Sequence, residues 1–243
     1  MPVRLFRRRF LAILAGAAAL GAGLGALKVF QLAVHEVEEL KVEDEQIKLP
    51  PPKMKGGLSV EETIERRRSR REYVDEPVLL DDISQLCCAA QGITDTNREL
   101  RAAPSAGALY PLELFVVVGK SDLEAGVYHY SPKGHMLERV KAGDFREQLR
   151  EASLGQEWVG RGALDFVITA AYDRTVARYG ERGRDRYVPM EAGHVAENIY
   201  LQAESLGLGT VTIGAFTDDQ VRAVISAPPQ HIPLYVMPVG HVS

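Results

Sequence analysis

Five arginines stand within six residues, Arg66-Arg67-Arg68-Ser69-Arg70-Arg71. Guanidinium groups make bidentate, charge-assisted hydrogen bonds to phosphate, and a serine hydroxyl adds one more donor. Two uses stay open for the cluster, a phosphate site or the solvated end of a helix. A second segment, Ala103-Pro104-Ser105-Ala106-Gly107-Ala108-Leu109-Tyr110-Pro111, sets small residues between two prolines. It reads as a rigid turn where a flat ligand could approach the backbone, or as a tight connection into a strand. A third, Gly207-Leu208-Gly209-Thr210-Val211-Thr212-Ile213-Gly214-Ala215-Phe216, offers backbone N–H groups at a strand end to a cofactor ring edge, or is only a strand-to-helix turn. In a fourth, Glu191, His194 and Asn198 fall on one helical face. His194 and Glu197 are metal-ligand types, but no second cluster completes a site, so no metal is expected.

The elements that must hold these residues alternate. Ser59 followed by Glu61 and Glu62 predicts a helix to about Arg68, with acids near its positive end. A second helix is expected from Leu79 to Ala90 and a buried strand from Glu113 to Gly119. A hairpin, Val127–Tyr130 with Met136–Val140, turns around Pro132-Lys133-Gly134. A short helix is expected over Asp144–Ser153, a buried strand over Asp165–Tyr172 and a long helix from Glu191 to Leu206, stopped by Gly207. Strands at Val211–Gly214 and Leu234–Val239 complete an α+β pattern, a layered sheet flanked by helices. No Gly-x-Gly-x-x-Gly follows a first strand and there is no Walker loop, so Rossmann and P-loop folds lack their main support.

The chain has 243 residues and a formal charge of −4, and two cysteines exclude a disulfide scaffold or a four-cysteine zinc site. The acidic balance argues against a nucleic-acid partner. Residues 1–27 hold four arginines and no acid; −4 for the whole chain and +4 for that segment leave −8 on residues 28–243. Leu11 to Leu27 is uncharged, and its 17 residues would span roughly 25 Å as a helix. A basic stretch before an apolar run is a signal peptide or membrane anchor. Arg7-Arg8-Arg9-Phe10-Leu11 resembles the twin-arginine export signal; the plainer reading is an ordinary export signal or anchor with arginines on its inner side. Residues 28–57, acidic and then rich in proline (Pro50-Pro51-Pro52), read as a tether. The domain is expected over 58–243, outside the cytoplasm, periplasmic or membrane-anchored.

Taken in order, the arginine cluster with Ser69, the PSAGALYP turn, the Gly193-His194 helix and the Ile213-Gly214-Ala215-Phe216 strand end resemble the nitroreductase-like flavoprotein superfamily. GVYHYSP at 126–132, LGQEWV at 154–159, YGERG at 179–183 and PVGH at 238–241 bring it nearer to the SagB-type dehydrogenase branch. The resemblance spans 58–243. It implies an FMN oxidoreductase built as an intertwined homodimer with flavin at the interface. Arg67, Arg68, Ser69 and Arg71 would hold the phosphate and ribityl chain. Pro104, Ser105 and Gly107 would approach from the other subunit, and Ile213, Gly214 and Ala215 would face the ring near N5. The flavin would carry the redox chemistry, with the protein supplying placement and electrostatics.

Three features depart from the family pattern. Members extend past the PVG strand and bring a basic residue to the phosphate, whereas this sequence stops at Ser243; the contact is missing or the upstream arginines cover it. Azoline oxidases of the branch are associated with a Lys-Tyr pair, here matched by Arg178-Tyr179, and arginine cannot serve as a base. Cys87-Cys88 stand where an aromatic is common and read as small core residues. Tyr179 and Tyr110 are the candidates for orientation or proton transfer. The expected function is an exported dehydrogenase or oxidase moving hydride through flavin N5, with a small-molecule substrate and an electron acceptor. The alternatives are an NAD(P)H nitroreductase or quinone reductase, an azoline oxidase on a modified peptide, and a non-catalytic flavin-binding module at the membrane.

Overall fold

The run Leu112–Val118 forms strand β4, and it is apolar almost throughout because both of its faces are covered. Leu114, Val116 and Val118 join one core while Phe115 and Val117 join another. Successive side chains of a strand point to opposite faces, and a strand buried on both sides reads as an unbroken apolar run. The computed structural model describes residues 46–243. Its elements are β1 (Gln46–Lys48), α1 (Val60–Arg66), α2 (Leu80–Gln91), β2 (Ile93–Asp95), β3 (Leu100–Arg101), β4, β5 (Gly126–Ser131), β6 (Met136–Ala142) and α3 (Arg146–Ala152). Then follow β7 (Leu164–Ala171), α4 (Asp173–Arg182), a π-helical turn (Gly183–Tyr187), α5 (Val188–Ser205), β8 (Leu208–Thr210), α6 (Asp218–Val224) and β9 (His231–His241).

Seven strands form one sheet in the order β1-β6-β5-β4-β7-β9-β8, every neighbour antiparallel. Helices α2 and α5 cover one face, where Ile83, Leu86, Val195 and Ile199 meet Phe166 and Met237. Helices α3 and α6 cover the other, where Leu149, Val221 and Ile225 meet Val167. This is the layered α+β arrangement expected from the sequence. Ser59 starts α1 with a capping box, its hydroxyl accepting the Glu62 N–H and the Glu62 carboxylate accepting the Ser59 N–H. Gly207, at φ +72°, ends α5.

The folded unit reaches further upstream than Leu58. β1 pairs with β6, Leu49 is buried, and the Leu49 N–H donates to the His135 carbonyl. Proline cannot donate, yet its carbonyl accepts: the Ser84 hydroxyl donates to Pro50 O over 2.6 Å. The latter part of the 28–57 tether is therefore laid along the domain; the leader at 1–27 and the start of the tether lie outside the described residues. The strand expected over Val211–Gly214 is replaced by β8 and a single bridge from Ile213 to Val236. The Thr212 N–H, which a strand would send to a neighbour, donates instead to the Tyr200 hydroxyl. Cys87 is fully buried on α2, and burial pushes its thiol pKa up, as suits a core residue.

Asp165 lies on β7 between Val117 of β4 and Pro238 of β9 and is fully buried. Burial raises its carboxyl from 3.8 to about 7, against the opposing pull of Arg146 and the Gly160 backbone. The unfolded chain releases this proton near pH 4 and the folded chain holds it to about 7, so the folded state binds more protons between the two. Across that window rising pH costs stability, at about 1.4 kcal/mol per pH unit, with no further loss above it. Thermal unfolding of Asp165→Asn from pH 4 to 8 checks this. The variant's gain over the parent grows up to pH 7 and then levels; parallel curves would mean that Asp165 is ionised in the fold.

Candidate active site

The arginine cluster divides its work. Arg66 pairs with Glu62 one turn back, and Arg68 folds onto the Glu65 and Arg67 carbonyls at the end of α1. Arg68 is therefore engaged at the helix end. Ser69 bridges to Thr210 beside β8, and the Arg70 N–H donates to the Thr210 carbonyl. The Ser69 hydroxyl lies 3.1 Å from the Tyr200 hydroxyl, which accepts the Thr212 N–H at 2.8 Å. Arg67 stands over the Tyr200 ring, 5.1 Å from its centroid and only 3.9 Å from the Glu197 carboxylate. Arg71 stands 5.4 Å from the Trp158 centroid. Gln156 ties this side to the strand end by donating to the Ala215 carbonyl. Ile213 is buried, but Gly214 and Ala215 are exposed, and a Cβ on Gly214 would meet nothing within 4 Å.

These residues fit an FMN phosphate by their donors. Arg67 and Arg71 both stand over aromatic faces, Arg67 with a long 3.9 Å ion pair to Glu197 and Arg71 with no ion pair among the described residues. Beside them Thr210 Oγ1 and Trp158 Nε1 are buried without a hydrogen-bond partner in the described residues. Buried polar atoms without partners are uncommon, and two in the segments that carry these cations suit an anionic ligand.

The turn at Pro104–Tyr110 is strained. Gly107, Ala108 and Tyr110 all have positive φ, at 63°, 53° and 46°. Non-glycine residues enter this region at a cost and persist where the surroundings hold them. The Ser105 hydroxyl accepts the Tyr110 N–H, the Tyr110 hydroxyl accepts the Arg101 N–H, and the Arg101 guanidinium lies 4.7 Å from the Tyr110 centroid. Arg174 donates to the Tyr110 carbonyl and pairs with Glu113 at 2.5 Å. Burial would raise the Glu113 carboxyl, but the His129 hydrogen bond and Arg174 outweigh it and hold it at about 2. Glu191, on the first turn of α5, is buried against this turn. Burial raises its carboxyl to about 7, while Ser105 and Arg101 pull it down.

Tyr179 reaches the same turn. Its hydroxyl comes within 2.7 Å of where a Cβ on Gly107 would stand, and Arg178 Nη1 within 3.1 Å. Tyr179 thus sits at the bare glycine, whereas the Tyr110 hydroxyl is engaged inside the turn. Helix α5 separates the two halves of the site. Ser105 lies by Glu191, and Arg67 and Ser69 lie by Glu197 and Tyr200, nine residues or roughly 13 Å along the axis. Within the chain, then, the turn and the arginines are brought to different parts of one helix. His194 and Glu197 are exposed, and Glu197 faces Arg67.

Sequence reasoning missed Tyr200, and it picked out Gln156 and Trp158 only within the LGQEWV motif without a role; these residues position the arginines and the strand end, while Arg101 and Arg174, also missed, brace the turn. The glycines divide into two kinds, and this is testable. Gly107→Ala adds a methyl group in the left-handed region and is expected to lose about 1 kcal/mol, a Tm fall of about 2–4 °C. Gly214→Ala adds one in open space and is expected to leave Tm unchanged. Thermal unfolding of the two variants reads the difference, and equal losses would contradict it.

The nitroreductase family model matches residues 64–241. A protein of Methanocaldococcus jannaschii that carries a nitroreductase name is 41% identical over 214 residues, covering 86% of this chain and 96% of the relative. The microcin B17-processing protein McbC of Escherichia coli is 29% identical, covering 74% and 68%. Among solved structures, a nitroreductase-titled protein of Ralstonia eutropha superposes with TM-score 0.73 at 29% identity, covering 84% of this chain and 91% of that one. A chain of the E. coli microcin synthetase McbBCD complex shares the fold, with TM-score 0.63 at 24% identity and 86% and 82% coverage. With 178 consecutive residues matched, and the glycines, arginines and turn of the site inside them, the chain belongs to the nitroreductase family.

Proposed function

We propose that the chain is an exported, FMN-dependent oxidoreductase that works as a homodimer. The single observation that carries the cofactor reading is the pair Arg67 and Arg71, presented on Tyr200 and Trp158 beside the open backbone of Gly214. Arg67, Ser69 and Arg71 bind the phosphate end. Gly214 and Ala215 let the flat ring lie against backbone, where any side chain larger than methyl would intrude. Bound flavin supplies hydride acceptance and donation at N5. Ser105, Gly107 and Tyr179 close the site from the second subunit, which accounts for the distance between the two halves in one protomer. Tyr179 orients the substrate at the bare Gly107. Oxidation of a substrate or of membrane quinol supplies the electrons, because the basic leader before Leu11 directs the domain away from cytoplasmic NAD(P)H.

The test begins with purification from membrane and soluble fractions. A yellow preparation with a flavin band is expected, mainly in the membrane or exported fraction. Replacing Arg67 and Arg71 by alanine removes two charge-assisted contacts and is expected to weaken FMN binding about 100-fold. Full retention of flavin in that variant would sink the phosphate assignment. Rapid reduction by NADH together with a cytoplasmic location would sink the export reading and favour the NAD(P)H reductase.

A further inference from the structure

Helix α4 does not run straight into α5. Gly180 has φ 59° and ψ −152°, a conformation that essentially only glycine adopts. The chain folds back there. Residues eight apart on a helix lie roughly 12 Å apart along the axis, yet a Cβ on Gly183 would meet Thr175 Cγ2 at 2.9 Å and the Thr175 carbonyl oxygen at 3.1 Å. The π-helical turn Gly183–Tyr187 follows, and such turns gather at functional sites.

The folded-back segment sets its cations on phenol rings. Arg178 lies 5.4 Å from the Tyr179 centroid and Arg184 lies 5.4 Å from that of Tyr172. Tyr179 and Tyr187 meet edge to face at 5.2 Å. Arg182 is used, its Nε donating to the Tyr187 hydroxyl, and Arg174 is used by Glu113. Arg178 and Arg184 have no carboxylate partner among the described residues, although Asp173, Glu181 and Asp185 belong to the same segment. Like charges at this density repel, and ion pairs within the segment would have relieved the repulsion. The cations are kept free instead, exposed, and Arg178 comes with the Tyr179 hydroxyl to the bare Cα of Gly107.

We propose that Arg178 and the Tyr179 hydroxyl, with Arg184 as a second cation on the same folded-back segment, recognise a substrate carrying a carboxylate. A guanidinium and a phenol O–H both donate, and a carboxylate accepts from both at once. Both donors converge on the Cα side of Gly107, Tyr179 Oη and Arg178 Nη1 lying 2.7 Å and 3.1 Å from one point there. These donors sit on the turn assigned to the substrate side of the flavin, so the proposal rests on the reading of function above and names the class of substrate.

The probes are 4-nitrobenzoate and 4-nitrobenzamide, similar in size, the first an anion and the second neutral. The flavin absorbance of the full-length preparation is recorded first and reports separately on the cofactor reading. Calorimetric titration with each probe follows, with parent and with the Arg178→Gln, Arg184→Gln double variant. Dithionite-reduced holoenzyme is then reoxidised by each probe, and the ratio of the two rates is taken, so that a general loss of activity cancels. The parent is expected to favour the carboxylate about tenfold in both measurements. The preference shrinks as salt rises from about 50 mM to about 500 mM, and falls to near unity in the variant. No preference in the parent, or the same preference in the variant, overturns the proposal. A colourless preparation that still binds 4-nitrobenzoate through these arginines would sink the flavin reading and leave the carboxylate recognition standing.

Discussion

One phenol ties the site together. The Tyr200 hydroxyl accepts the Thr212 N–H, faces the Ser69 hydroxyl, and lies on a ring that carries Arg67. These contacts join three pieces of chain that are far apart in sequence: the loop after α1, the middle of α5 and the segment after β8. Tyr200 itself is held in the core on α5. A phenol is suited to this position because its ring packs with apolar neighbours while its hydroxyl meets backbone. By taking the Thr212 N–H it also ends the β8 ladder, and the chain leaves the sheet where Gly214 becomes bare.

Helix α5 acts as a ruler for the rest. Its first turn carries Glu191 against Ser105, and two to three turns later it carries Glu197 and Tyr200 against the arginine loop. Its other face is buried by Val195, Ile199 and Ala203 on the sheet. The spacing between these two groups of residues is therefore fixed by the packing of α5 on the sheet. A rigid separation of this kind is what a site shared by two copies would need.

The parts that the sequence made legible are those with a strong local cause. The apolar run of β4, the capping box at Ser59 and the glycine after α5 each state their structure in a few residues. The start of the domain was harder, because Pro50-Pro51-Pro52 reads as a spacer while the neighbouring Leu49 and the Pro50 carbonyl are fixed by contacts with His135 and Ser84. Of the site, the arginines, the turn and the strand end could be picked out by composition. Their supports could not. Tyr200 and Trp158 look like ordinary core aromatics, and Arg68 looks like its neighbours until the helix end claims it. Helix α4 was also missed, since its polar, arginine-rich sequence lacks an apolar stripe and turns back at Gly180.

Backbone strain marks where this fold departs from regular structure for a purpose. Gly107, Ala108 and Tyr110 have positive φ in one short turn, and Gly180 takes a glycine-only conformation in the segment packed on it. Each such residue costs of order 1–3 kcal/mol unless glycine relieves it. The two strained segments meet at one point, where Tyr179 and Arg178 reach Gly107. Braces surround the turn rather than fill it: Arg101 covers the Tyr110 ring, and Arg174 bonds the Tyr110 carbonyl while anchored on Glu113. Support of this kind holds the turn in its strained form before any ligand arrives, so a ligand meeting it would not have to meet that ordering cost on binding.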